Sequence, residues 1–295
     1  MSSKALDYNK KTSKEYGWTP DWFGASDYDD NLLSKIKEFQ KEHDIDSDGM
    51  CGPGTYRRIY ADRVSSMAYS KKELKNTDRN LIYMGNEIPI EWDKVTRWVD
   101  PDGLECKHFS NYDKKRKITT FVNHWDVCLN SEACVNVLNK RGVSVQLCID
   151  NDGTVHQLMD LNDAAWHASS KDYNHASIGV EIANVYYPKY QSWYIKNGFG
   201  ERPIISGETI HGNPMKDFMG FYPVQLEALK AVWKCLHKEL GIPYECPLDS
   251  SGNTSKTVYK GPVFEGFISH YHVTEKKIDC AGLDINKMLQ EIKNE

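Results

Sequence analysis

Apolar positions along this chain repeat with two different periods, and the change of period divides it. In residues 29–43, Leu32, Leu33, Ile36, Phe39 and Gln40 recur at three- and four-residue steps. That spacing predicts a helix with one apolar stripe, which Asp29 or Asp30 is placed to cap. The turn-rich stretch DSDGMCGPG interrupts the pattern, and Tyr56, Ile59, Tyr60 and Val64 then mark one side of a second short helix. These pieces make a small helical unit, residues 1–66, of which there is no second copy. Residues 67–115 are irregular and read as a linker merging into the first layer of a larger domain at 116–295.

In that larger domain the periods mix. RKITTFVNHW is an apolar strand, and SEACVNVLNKRG is a helix stopped by Gly142. VSVQLCIDNDGTVHQLM alternates on both sides of Asp152-Gly153, a hairpin signal. HASIGVEIANV and FEGFISHYHV are further strands. Leu226, Leu229, Val232, Trp233 and Leu236 define an amphipathic helix ending at Gly241, and LDINKMLQEIKN a terminal one. Residues 187–220 are a long polar, aromatic insertion. The alternation predicts an α/β domain with a central mixed sheet flanked by helices, preceded by the small all-α unit.

Composition narrows the function classes. The 295 residues are 40% hydrophobic and 27% charged, as in a soluble globular protein. No apolar run approaches the roughly 18 residues that span a bilayer, so no membrane insertion is expected. The first residues, MSSKALDYNKKTSKEYGW, lack the apolar core of a secretory signal. A net charge of −5 argues against a nucleic-acid partner. Eight cysteines without a CxxC pair read as buried thiols in a reducing compartment. Cys128 and Cys134, six apart, leave a bridge open.

Two stretches suggest metals. Asp44, Asp46, Asp48 and Gly49 imitate the start of a calcium loop, but the twelfth position is Thr55 rather than glutamate. A turn held by Asp46 and Asp48 bonding local amides fits better. His124 ends one apolar strand, His270 and His272 end another, and Asp279 and Cys280 follow in the next loop. Catalytic zinc takes three such ligands and leaves one position for water. Spacing alone does not separate ligands from structural histidines.

The pieces TFVNHWD, VQLCIDNDGTVHQL, AAWHA, NHASIGVEIAN and SHYHVTEKKIDCAGLDI, in that order over about residues 116–290, resemble the type 2 zinc-dependent N-acetylmuramoyl-L-alanine amidases. That family includes bacteriophage T7 lysozyme, the bacterial recycling amidases and the peptidoglycan recognition proteins. The resemblance implies hydrolysis of the amide between N-acetylmuramate and L-alanine of the stem peptide. It implies Zn²⁺ held by His124, His270 and Asp279, with Cys280, where a proline is usual, as the alternative third ligand. Glu181 matches a glutamate that moves protons between the attacking water and the leaving nitrogen. Lys277, with Lys276 as neighbour, matches a lysine facing the tetrahedral intermediate. His167, Trp166 and Asn174 fall on the substrate side. Val145 stands where one branch carries a tyrosine, leaving Glu181 to act alone.

Phe39, Gln40, Asp48, Gly49, Gly52, Pro53 and Thr55 match the pattern of a three-helix peptidoglycan-binding module, which would raise the local concentration of the catalytic domain on its polymer. A wall-binding unit with a catalytic domain and no signal suggests a monomeric phage endolysin. Such a protein waits in the host cytoplasm and acts on peptidoglycan once the inner membrane is breached. The rival expectations are a non-catalytic recognition protein and a wall peptidase cutting another amide.

Overall fold

A helix stripe and a strand pattern become layers once their apolar sides are covered. The computed structural model describes residues 2–70, 77 and 79–295. The helical unit contains α1 (Ser2–Tyr16), α2 (Asp30–Glu42) and α3 (Pro53–Ser65). Asp29 caps α2 by accepting from Leu32 N, and the predicted stripe, Leu32 to Gln40, is the buried one. The first helix, α1, has no apolar stripe in its sequence; Asn9 ties it down by bonding Gly49 O at 2.9 Å and Cys51 N at 2.7 Å.

The aspartate-rich loop folds as a turn. Gln40 reaches from α2 to donate to Asp48, Met50 O and Thr55, and it accepts from Gly49 N at 2.9 Å. Asp48 also accepts from Met50 N at 2.8 Å, while Asp44 pairs with Lys216 at 2.8 Å. Gly49 has φ +76°, which a side chain would strain. Pro53 opens α3, where its missing N–H costs nothing.

The larger unit is built on six strands: β1 (Val95–Arg97), β2 (Thr120–Trp125), β3 (Leu147–Ile149), β4 (Val155–Gln157), β5 (Ser177–Ile182) and β6 (Gly266–Ser269). Their spatial order is β6-β2-β5-β3-β4-β1. The first four run parallel; β3 and β4 form the expected antiparallel hairpin, and β1 lies parallel to β4. Edge strand β1 comes from the irregular stretch ahead of residue 116, part of which (71–76 and 78) lies outside the described residues.

Successive residues of each strand face opposite sides. On one side Phe121, Ile178, Val180 and Phe267 pack beneath α7 (Pro223–Leu240) and α8 (Ile285–Lys293), with Trp233 4.8 Å from Phe267. The other side is covered by α4 (Ser131–Arg141) and the short α5 (Lys171–Ala176). The apolar core under α4 runs without interruption into the helical unit, joining Val135 and Leu138 to Tyr56, Ile59, Phe39 and Trp18.

The insertion carries α6 (Gln191–Lys196) and two short strand pairs. Arg202 fastens it, donating to Gly220 O and Ala183 O between the rings of Tyr194 and Tyr222. Its first residues also meet α3: Arg58 donates to Tyr187 and Tyr186, and Tyr190 bonds Asp62. All eight cysteines are free and buried. Among the described residues no helix is long and apolar enough to cross a membrane.

Candidate active site

Parallel strands bring their carboxyl ends to one edge of a sheet, which is where clefts form in such folds. Here β2 delivers His124 directly opposite Glu181 of β5, and β6 pairs Ser269 with Asn123, so that His270 emerges next to His124. The chain then turns into a short 3-10 segment, His270–His272, and the following loop returns Asp279 to the same point. His124 Nδ1 and His270 Nδ1 each lie 3.0 Å from Asp279 Oδ2. The three ligand atoms fall within 4.8 Å of one another, and all three residues are buried.

The outer sides of both rings are held. His124 Nε2 is 3.0 Å from His167 Nδ1. His167 Nε2 is 3.2 Å from Ser177 Oγ, whose hydroxyl donates to Tyr173 O at 2.5 Å. His270 Nε2 is 3.2 Å from Ser169 Oγ. The His167 ring lies against Gly179, where a Cβ would come within 2.7 Å of Nδ1. These contacts leave the two Nδ1 atoms directed at the same carboxylate.

Burial and the neighbouring His270 hold His124 down to about 4, against the pull of Asp279. Burial alone would raise Asp279, but His270, His124 and Lys277 more than offset it and keep the carboxyl well below its ordinary range. A neutral imidazole at His124 and an ionised carboxylate at Asp279 are the protonation states a metal ligand needs. Two imidazoles and one carboxylate, braced from outside, suit a tetrahedral zinc position with one corner open.

The other sequence candidates fall into distinct environments. His272 points away from the triad: Ser269 N donates to its Nδ1 at 2.9 Å, and its Nε2 donates to Ser255 O at 2.7 Å. Cys280 is buried in the main core beside Tyr271 and Leu283. Glu181 faces the cleft at 8% exposure, with Oε2 unpartnered among the described residues. Burial pushes its carboxyl well up, as do Asp279 and Asp126, against Arg57 and Lys277. Lys277 lines the same cleft, whereas Lys276 is exposed. Burial lowers the Lys277 ammonium against Asp279. Val145 is a core residue.

Trp166 is 41% exposed along the cleft and donates to Ser110 Oγ at 3.1 Å. Asn174 also lines it, but its Oδ1 accepts from His167 N at 3.1 Å and Ala168 N at 2.7 Å, bracing the loop. Arg116, which the sequence reading passed over, fastens that loop from beneath. Its guanidinium donates to the carbonyls of Asn162, Leu161, Asp163, His175 and Ser177. The one sequence signal was a basic residue heading an otherwise apolar strand. Arg57 and Arg141 also line the cavity of about 260 Å³ that holds the triad.

A family model described as N-acetylmuramoyl-L-alanine amidase matches residues 114–280. The chain belongs to that family, and it is an amidase of peptidoglycan. No curated protein matches it in sequence. Among solved structures it is similar to an AmpD derivative at 14% identity, over 67% of this chain and 98% of that one, with a TM-score of 0.38. It is also similar to AmpDh3 from Pseudomonas aeruginosa, crystallised with an anhydromuramic pentapeptide, at 16% identity over 66% of each chain with a TM-score of 0.40. A mutant endolysin from Bacillus subtilis aligns at 17% identity over 68% of this chain and 95% of that one, TM-score 0.35.

Proposed function

We propose that this amidase cuts the bond between the lactyl group of N-acetylmuramate and L-alanine with zinc held by His124, His270 and Asp279. The observation that carries the reading is the convergence of those three ligand atoms within 4.8 Å, beside a buried carboxyl on the next strand. Bound there, zinc would lower the pKa of a water to about 7 and polarise the scissile carbonyl.

The chain's own groups do the rest. Glu181, whose Oε2 has no partner among the described residues, takes a proton from the attacking water and passes it to the nitrogen that leaves. A carboxyl raised by burial is a stronger base than an ordinary carboxylate, which favours the first of these transfers. Lys277 presents a cation to the oxygen on which charge develops. His167 and Ser169 hold the ligand rings from behind, and Trp166 offers an apolar face to substrate. The helical unit, with Gln40 organising its Asp48-Gly49 turn, is read as the part that grips the polymer. An endolysin that stays in the host cytoplasm until lysis accords with that pairing. Expression inside a bacterium with and without a membrane-breaching partner tests it, since lysis without the partner contradicts it.

The chemical test is digestion of purified peptidoglycan by protein of known zinc content. Free L-alanine amino groups and lactyl carboxylates in equal amounts, abolished by chelation and restored by zinc, are expected. Release of any other amino terminus refutes the bond assignment.

A further inference from the structure

One residue of the catalytic cleft's wall does not come from the amidase domain. Arg57 projects from α3 of the helical unit, and Arg141 ends α4 beside it; both line the cavity that contains His124, Glu181 and Lys277. Neither guanidinium makes a hydrogen bond or ion pair among the described residues, and the Nε atom of each is buried without a partner. Leaving a buried charged donor unpaired is costly, so such a group calls for a ligand. The cavity thus holds three cations against Glu181 and Asp279, inside a chain whose net charge is −5. Guanidinium forks match carboxylates with two parallel bonds, which a lone ammonium cannot do.

We propose that Arg57 and Arg141 form a seat for a carboxylate of the stem peptide, so that the helical unit completes the substrate site. This rests on the amidase reading above. A stem whose second residue is linked through its side-chain carboxyl carries a free α-carboxylate one residue beyond L-alanine, and its last residue carries another. Either would reach the seat as a fixed anion. The continuous core between α3 and α4 holds the two arginines in place relative to the triad, as a binding site requires.

The test uses the full zinc-loaded chain and three soluble substrates: N-acetylmuramoyl-L-alanyl-D-isoglutamyl-L-lysine, its isoglutaminyl counterpart, and the first peptide with its terminal carboxylate amidated. Wild type should favour one carboxylate over its amide by about tenfold in kcat/KM, and the arm that loses rate identifies which. Arg57→Gln should raise KM for the preferred substrate about tenfold, hold kcat within about twofold, and erase the preference. Arg57→Lys, which keeps the charge but not the fork, should fall between. Wild type indifferent to both amidations overturns the proposal. So does Arg57→Gln with KM and preference intact, or one that moves only the pH profile of kcat, because the arginine then serves Glu181 instead. If wild type frees no L-alanine amino terminus from any of the three, the amidase reading itself has failed.

Discussion

Replacing His167 by alanine should weaken zinc binding although His167 is no ligand. Its Nδ1 is the acceptor 3.0 Å from His124 Nε2, and its own Nε2 is anchored by Ser177. When His124 binds through Nδ1, its Nε2 must carry the proton and needs that acceptor. Without it a buried N–H is left unpaired, at a cost of about 1–3 kcal/mol. That corresponds to a rise in Kd of about 5- to 150-fold, the range typical of lost partners behind a metal ligand. Competition between the protein and a chromophoric chelator measures it directly. Gly179→Ala keeps His167 but drives a methyl to within 2.7 Å of its Nδ1, so it should weaken zinc in the same direction. The double variant should be no weaker than His167→Ala alone, because both act through one ring. An unchanged Kd in His167→Ala, with the metal-free fold intact, would refute the chain of bonds as the brace of His124.

Glu181→Gln should keep zinc yet lose about 10²–10⁴-fold in turnover, read from release of L-alanine amino groups; near-normal kcat would remove Glu181 from proton transfer. His272→Ala should leave zinc bound while orphaning Ser269 N–H and Ser255 C=O, at about 2–4 kcal/mol and roughly 3–6 °C in Tm by calorimetry. Loss of zinc instead would make His272 a ligand. Burial holds the Asp126 carboxyl up at about 7, against bonds from Asn184 N and Cys128 N, and its Oδ2 has no partner among the described residues. Between about pH 4 and 7 the folded chain therefore keeps a proton there that the unfolded chain releases, which lowers stability as pH rises. Asp126→Asn should gain on wild type across that window, by up to about 4 kcal/mol at pH 7.5 in urea unfolding. An equal gain at pH 4 would mean that charge is not the cause.

Much of the architecture could be read from periodicity because the elements concerned bury one face. α2 and α7 lie where their stripes predict, α4 and α7 stop at Gly142 and Gly241, and the Asp152-Gly153 hairpin joins β3 to β4. α1 escaped because it is held by Asn9 and a few packed positions rather than by an apolar stripe. α3 was half legible: Tyr56 and Ile59 face the helical core, but its other side is buried through Arg58 and Asp62 against tyrosines of the insertion. Polar burial of that kind has no periodic signature. In sequence the insertion at 187–220 reads either as a wall of the substrate cleft or as padding; its tyrosines bond Arg58 and Asp62 of α3.

The same distinction runs through the site. His124, His270, Asp279, Glu181 and Lys277 sit at strand ends or in the loop after one, where type and position can be read together. His270 and His272 share a face only on a continuing strand; the 3-10 turn after Ser269 sends them apart. Arg57 lies more than sixty residues before His124, and only the docking of α3 on α4 brings it to the cleft.

Anomalous diffraction at the zinc edge tests the central claim most directly. One peak about 2.0–2.2 Å from His124 Nδ1, His270 Nδ1 and the Asp279 carboxylate, absent in Asp279→Ala, is the predicted result. A peak at Cys280 or His272, or undiminished hydrolysis from crystals that hold no zinc, would contradict it.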